Sequence, residues 1–134
     1  MENLFGIGIH HIALHVSDLN RSLAFYCEGL GFRLYRRWKN GESENALVDF
    51  GQGYLELFSP APDRGHLPAA GVSPHFAFAA EDVSACFERA VKAGAGIKRE
   101  LTDLVIPSEP PLPITVAFVT GPDGETIEFF KEKK

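Results

Sequence analysis

Two histidines and two glutamates have the residue types and spacing to bind a metal ion. His11 and His75 each open a stretch of alternating apolar residues, and Glu56 and Glu128 each lie in a later stretch of that kind. A carboxylate between apolar strand residues is costly unless it is exposed, paired or bound to a cation. Two imidazoles and two carboxylates would fill four of the six positions of an octahedral divalent ion and balance its charge. We therefore predict that these four residues ligate one divalent metal ion.

An internal repeat positions these residues. Segments 10–26 and 74–90 share a template of His, alternating apolar residues, Asp and a helical pattern. The step from His11 to His75 also takes Asp18 to Asp82, so the register holds without a gap. Each half is predicted to form a strand, a helix and three further strands. In the first half, Ser17 or Asp18 caps a helix that ends at Gly29 and Gly31, and strands follow near 32–38, 45–50 and 53–58. In the second, the helix after Asp82 stops at Gly94, before strands near 97–102, 114–120 and 125–130.

Strand alternation predicts the direction of the four side chains. In the fourth strand, Leu55 and Leu57 take the face that packs against the helix, and Glu56 takes the other face. Ile127 and Phe129 flank Glu128 in the same way. Small or polar residues share a face with each histidine, which leaves space beside it. All four side chains are therefore expected to point away from the helix-packed core.

Two segments interrupt the repeat. Residues 59–71 are rich in Pro, Gly and Ala and are expected to link the two halves. Residues 103–113 carry four prolines, at 107, 110, 111 and 113, which disfavour a central strand or a helix interior. We predict that this second segment is an inserted loop that forms a wall or lid of a pocket.

Composition excludes several classes of function. The formal net charge of −5 over 134 residues argues against a nucleic-acid partner, and no apolar run is long enough to span a membrane. The N-terminal segment lacks the features of a signal peptide, so a cytoplasmic location is expected. Cys27 and Cys86 lack metal-type spacing and are expected to be reduced, half-buried helix residues.

These motifs together resemble the vicinal oxygen chelate superfamily, also called the glyoxalase/bleomycin resistance/dioxygenase group. The likeness rests on HHIALHVSDLNRSLAFYCEGLGF, YLELF and GPDGETIEFF, and covers nearly the whole chain. It implies an α+β fold of two paired βαβββ modules that form a curved mixed sheet around a metal-binding cavity. Residues 1–134 would be one glyoxalase-like domain, with module 1 at about 7–59, a linker at 60–71 and module 2 at about 72–131.

The ligand set most resembles that of bacterial glyoxalase I, lactoylglutathione lyase. The resemblance places the metal ligands at His11, Glu56, His75 and Glu128, with Glu128 as first candidate base and Glu56 as its partner. A small-molecule substrate with vicinal oxygens, such as a hemithioacetal, would chelate the ion. Ni, Co, Zn, Mn and Fe all suit these donors. Relatives of this length are commonly homodimers, and the two half-sites could meet within one chain or across two.

Departures from the family pattern bear on the substrate. Glutathione-using relatives usually have Arg where this chain has His15, and Asn where it has Pro60. Another anion could be bound by a cationic residue of the set Arg36, Arg37, Lys39, Arg64 and Lys98. The alternatives are a CoA-ester epimerase of the methylmalonyl-CoA type, a 2-His-1-carboxylate dioxygenase, and a protein that sequesters a small molecule without turnover, as bleomycin-resistance proteins do.

Overall fold

The computed structural model describes residues 9–59 and 75–133 and contains the predicted arrangement twice. In each half a strand and a helix precede three further strands, as the α+β prediction required. The first helix is α-helical at its start and continues as a π-helix over Ala24–Gly29. The elements are β1 (His11–His15), α1 (Leu19–Leu23), β2 (Arg33–Asn40), β3 (Ser43–Asp49), β4 (Tyr54–Ser59), β5 (Phe76–Ala79), α2 (Val83–Lys92), β6 (Gly96–Ile106), β7 (Leu112–Thr120) and β8 (Thr126–Glu132).

The strands form two four-stranded mixed sheets with equivalent orders. In module 1 the order is β1-β4-β3-β2, and in module 2 it is β5-β8-β7-β6. The first strand of each module runs parallel to the last, and the other pairs are antiparallel. Strands β1 and β5 therefore lie at sheet edges, each paired on one side within the described residues. The two sheets are not closed into one.

Capping residues fix the start and end of both helices. The side chains of Asp18 and Asp82 accept hydrogen bonds from the backbone N–H groups of Arg21 (3.1 Å) and Ala85 (3.0 Å). These contacts satisfy N–H groups that have no partner inside the helix. Beyond the helices, Gly31 and Gly94 adopt φ values of 85° and 105°. Both N-caps and both glycine stops agree with the sequence prediction.

The core lies between the helices and one face of each sheet. Leu55 and Leu57 of β4 and Ile127 of β8 are fully buried there, and so is Tyr26 from the first helix. This is the packing face that strand alternation predicted. The opposite face of each sheet carries the four candidate ligands.

The prediction of an inserted loop at 103–113 is wrong for most of that segment. Strand β6 continues to Ile106 and β7 begins at Leu112, so the loop spans only 107–111. Pro113 pairs with Val105 within the extended hairpin. It is tolerated because it lies next to the beginning of its strand, where the loss of one N–H donor costs little.

Contacts between helices and turns join the two modules. The Tyr26 hydroxyl donates to Glu125 at 2.7 Å, and the Ser17 hydroxyl donates to Asp123 at 2.6 Å. Gly29 lies so close to Ala93 that an added Cβ would sit 2.6 Å from the Ala93 Cβ. The predicted linker at 60–71 lies outside the described residues. Within the part of the chain that the structure describes, no helix has the length and apolar character needed to cross a membrane.

Candidate metal centre

The module 1 half of the candidate site is a contact between His11 and Glu56. Strands β1 and β4 run parallel with Ala13 opposite Glu56, and the small Ala13 side chain leaves room for the carboxylate. The His11 Nε2 atom lies 3.1 Å from the Glu56 Oε1 atom. Leu55 and Leu57 on either side of Glu56 are fully buried on the other face, which directs the carboxylate toward His11.

Module 2 repeats this arrangement with His75 and Glu128. Strands β5 and β8 are parallel with Ala77 opposite Glu128, and His75 Nε2 lies 2.9 Å from Glu128 Oε1. The Glu128 side chain is 10% exposed and the His75 side chain 40% exposed. The ring of Phe118 on β7 lies edge-on to His75, with ring centroids 5.8 Å apart. Both modules therefore hold one imidazole and one carboxylate in the same geometry.

The donor spacing in both pairs fits a divalent ion. Metal–ligand bonds of about 2.1 Å at right angles place neighbouring donors of an octahedral ion about 3 Å apart. The two measured separations, 3.1 and 2.9 Å, match that spacing. Imidazole nitrogen and carboxylate oxygen also suit the borderline first-row ions. Each pair could therefore supply two adjacent ligands with little movement.

The four predicted ligands are brought together as two pairs and not as one cluster. Among residues 9–59 and 75–133, no group of three or more His, Cys, Asp or Glu side chains is placed to hold a metal ion. His11 and Glu56 belong to one sheet, and His75 and Glu128 to the other. A single chain thus presents two half-sites, and the four-ligand centre stays a prediction.

His10 is a neighbour of the site that sequence reasoning missed. Its Nδ1 atom lies 3.0 Å from the Nδ1 atom of His11. When His11 donates its Nδ1 proton in this contact, its Nε2 lone pair is free to bind a cation. The sequence signal for this contact is the pair of consecutive histidines at 10 and 11. Strand alternation predicts instead that adjacent residues point to opposite faces.

Most of the described cationic side chains that the sequence offers for an anionic ligand contact other residues of the chain. Arg37 contacts Asn20 and Glu44, and Lys39 also lies near Glu44. The Lys98 ammonium donates to the Thr126 hydroxyl at 2.7 Å. Arg64, like Pro60, lies outside the described residues. Arg36 differs from these, because its guanidinium lies over the Tyr35 ring, 4.1 Å from the ring centroid.

A groove among the described residues is lined by both modules. Its volume is about 1320 Å³, and its lining includes Phe32, Phe50, Phe78, Cys86 and Arg89. It contains none of the four candidate ligands. The candidate chemistry is therefore placed at the His–Glu pairs, which lie outside this groove.

The two cysteines are free and half-buried, as predicted. Cys27 lies in the π-helical segment and Cys86 in α2. Burial raises the pKa of both thiols, and a nearby carboxylate, Glu28 for Cys27 and Asp82 for Cys86, raises it further. A raised pKa keeps these thiols protonated, so they are poor nucleophiles and poor metal ligands.

The paired modules are matched by a known family. Residues 8–129 match the model of the glyoxalase/bleomycin resistance protein/dioxygenase superfamily. The chain belongs to this superfamily. The βαβββ prediction is therefore confirmed by both the fold and the family match.

Relatives within the superfamily span nearly the whole chain. An uncharacterized protein of Bacillus subtilis, YwbC, is 36% identical over 92% of this chain and 96% of its own length. The lactoylglutathione lyase of Haemophilus influenzae is 33% identical over 93% of both chains. The trypanothione-dependent glyoxalase I of Leishmania major has 28% identity and a TM-score of 0.66, covering 90% of this chain and 84% of the other. These likenesses support a glyoxalase-like role.

Proposed function

We propose that this protein is a metal-dependent isomerase of glyoxalase I type. It would act on a small molecule with two vicinal oxygens, such as the hemithioacetal of a 2-oxoaldehyde and a thiol. The observation that carries this proposal is the equivalent His–Glu pair in each module, with donor separations of 3.1 and 2.9 Å. The similarity to lactoylglutathione lyases supports the same reaction class.

The reaction needs a base and a stabiliser of negative charge. A divalent ion held by His11, Glu56, His75 and Glu128 would supply Lewis-acid stabilisation of the substrate oxygens. Glu128 removes the proton from the hydroxyl-bearing carbon and returns it to the neighbouring carbonyl carbon. The hydroxyl proton passes from one oxygen to the other, so no electrons are gained or lost. Glu56 serves the opposite face of the substrate.

We propose further that the working unit is a homodimer. The His–Glu pair of module 1 would meet the module 2 pair of a second copy, which gives four ligands at each of two sites. The separation of the two pairs into two open sheets supports this arrangement. The edge position of β1 and β5 supports it too, because each of these strands pairs on one side alone within residues 9–59 and 75–133.

The thiol part of the substrate is inferred from positions 15 and 60 and from one relative. The absence of Arg and Asn at positions 15 and 60 argues against the usual mode of glutathione binding. The likeness to a trypanothione-dependent glyoxalase I supports the use of a different thiol. We therefore expect hemithioacetals to be substrates without a strict requirement for glutathione.

The first test measures isomerisation directly. The protein would be freed of metal, reloaded with Ni²⁺, Co²⁺, Zn²⁺, Mn²⁺ or Fe²⁺, and assayed with methylglyoxal plus glutathione or simpler thiols. Activity should require a metal and should fall at least about 100-fold in Glu128→Gln. Glu88→Gln, an exposed change on α2, is the matched control and should leave activity unchanged. Inactivity with every metal and thiol would refute the proposal.

A second test asks whether the site is shared between chains. Glu56→Gln and Glu128→Gln would be prepared separately and then unfolded and refolded as a mixture. If each site joins module 1 of one chain to module 2 of another, half of the dimers contain one unaltered site, and about one quarter of the wild-type activity returns. If each site forms within one chain, every site keeps one defect and the mixture stays inactive.

A further inference from the structure

Strand β2 carries four closely spaced cations, of which three have a carboxylate partner. Arg33 pairs with Asp49 at 3.4 Å, and Arg37 and Lys39 pair with Glu44. For Arg36, no carboxylate among the described residues lies within ion-pair distance. Its guanidinium instead donates to the Tyr35 carbonyl oxygen at 2.8 Å and lies over the Tyr35 ring. Arg36 is exposed, so its remaining guanidinium donors are accessible to an external acceptor.

Aromatic rings connect Arg36 with the module 1 half-site. Tyr35 stacks on Tyr54 with ring centroids 4.9 Å apart and an interplanar angle of 27°. Tyr54 contacts the His10 ring at 5.0 Å, and the His10 ring contacts His11 at 5.2 Å. A continuous wall of rings therefore runs from the guanidinium to a candidate ligand. These rings give a substrate an apolar surface to pack against along its length.

Strand register places Arg36 on the same face as Glu56. Arg36 pairs with Leu47, and Leu47 pairs with Glu56, so the three residues form one row across the sheet. Directly paired residues point to the same side of a sheet. A register shift between Leu34 and Arg36 makes Tyr35 an extra residue in the strand, which turns its ring toward Tyr54. Two strand spacings separate Arg36 from Glu56, which is about 10 Å.

We propose that Arg36, Tyr35 and Tyr54 form a subsite for an anionic group of the substrate. The group is a carboxylate at the end remote from the vicinal oxygens, and Arg36 binds it while the tyrosine rings contact the intervening chain. Arg is suited to this role because its planar fork of donors matches a carboxylate. The inference rests on the proposed function, since the distance is counted from the Glu56 half-site. In this proposal Arg36 is a specificity determinant on β2. The chain has His15 at the position where glutathione-using relatives usually have an arginine.

The test compares two metal-chelating probes that differ only in a terminal carboxylate. Octanohydroxamic acid and suberic acid monohydroxamate have the same chain length and the same vicinal oxygens. Titration calorimetry of the Zn²⁺-loaded protein should give an about tenfold lower Kd for the carboxylate-bearing probe, which corresponds to about 1.4 kcal/mol. Arg36→Gln should make the two Kd values equal, and Arg36→Lys should retain part of the difference.

Arg37→Gln is the matched control. Arg37 is the next residue and undergoes the same change in charge, but its side chain contacts Asn20 of α1, on the other face of the sheet. It should keep the tenfold preference. Equal binding of both probes by the unaltered protein, or a preference that survives Arg36→Gln, would overturn the subsite and leave the metal site standing. Failure of both probes to bind would overturn the metal site and the subsite with it.

Discussion

Each candidate ligand is satisfied by its neighbour before any ion is bound. Glu128 is almost completely buried between Ile127 and Phe129, and an isolated carboxylate there would carry a large desolvation cost. The His75 imidazole, 2.9 Å away, offsets that cost. Glu56 has His11 in the same role. The sequence predicts that a buried carboxylate in these strands needs a partner. In each module a histidine imidazole supplies part of the stabilisation that the prediction assigned to a metal cation.

His10 should tune metal binding through its contact with His11. In His10→Phe an aromatic ring still lies beside Tyr54, but the Nδ1 atom that faces His11 Nδ1 is lost. Loss of such an outer partner typically weakens metal affinity, and we expect an about 10-fold higher Kd for Zn²⁺. Competition against a chromogenic chelator measures this without any turnover.

His15→Phe is the control for that change. The His15 ring contacts Phe58, with ring centroids 5.4 Å apart, and among the described residues it makes no hydrogen bond or ion pair with His11 or Glu56. Its Zn²⁺ affinity should equal that of the unaltered protein. An unchanged Kd in His10→Phe would show that His11 is oriented by its strand alone.

At the scale of the elements, local signals located the helices better than the long hairpin. A helix begins after an Asp that caps its first backbone N–H groups and ends at a Gly that follows its last turn. Because these signals lie a few residues from the helix ends, the sequence predicted where both helices begin and end. The extent of β6 and β7 depends on pairing partners distant in the chain. Thr115 donates to Asp103 across this hairpin, a contact that the proline pattern did not suggest.

The N-cap of α2 should contribute measurably to stability. Asp82→Ala removes the acceptor for the Ala85 N–H group and is expected to lower the free energy of unfolding by about 1 kcal/mol. Urea denaturation followed by circular dichroism measures the difference. Ser84→Ala, an exposed change in the first turn of the same helix, should alter stability by much less. Equal effects of the two changes would contradict a specific role for the cap.

At the scale of the whole molecule, a polar cluster ties module 1 to the closing hairpin of module 2. Asp123 accepts hydrogen bonds from the backbone and hydroxyl of Ser17, and lies 3.3 Å from Arg21. Glu125 accepts from the fully buried Tyr26 hydroxyl. These contacts orient the two sheets relative to each other, and hence the two His–Glu pairs.

Tyr26 should make stability depend on alkaline pH. Burial, followed by the Glu125 and Asp123 carboxylates, raises the pKa of Tyr26 well above its ordinary value of about 10. Above pH 10 the unfolded state releases this proton while the folded state retains it. The free energy of unfolding should therefore fall by up to about 1.4 kcal/mol per pH unit between the unfolded and folded pKa values, and the full contribution is present below pH 10.

Tyr26→Phe should remove that part of the pH dependence. Urea denaturation between pH 8 and pH 11 should give a flatter profile for this variant than for the unaltered protein. Tyr35→Phe, which alters an exposed tyrosine, should keep the steeper profile. Identical profiles for all three proteins would contradict the raised pKa of Tyr26.

The sequence by itself determined the repeat, the capped helices, the strand faces and the four His and Glu residues of the candidate site. These features depend on periodicity and on groups a few residues apart, which any sequence displays directly. Only the tertiary structure decided that His11 contacts Glu56 and His75 contacts Glu128 as two separate pairs, that His10 adjoins His11, and that Arg36 lies in one row with Glu56. Those outcomes follow from strand register and module packing, which are set by contacts between residues far apart in the chain.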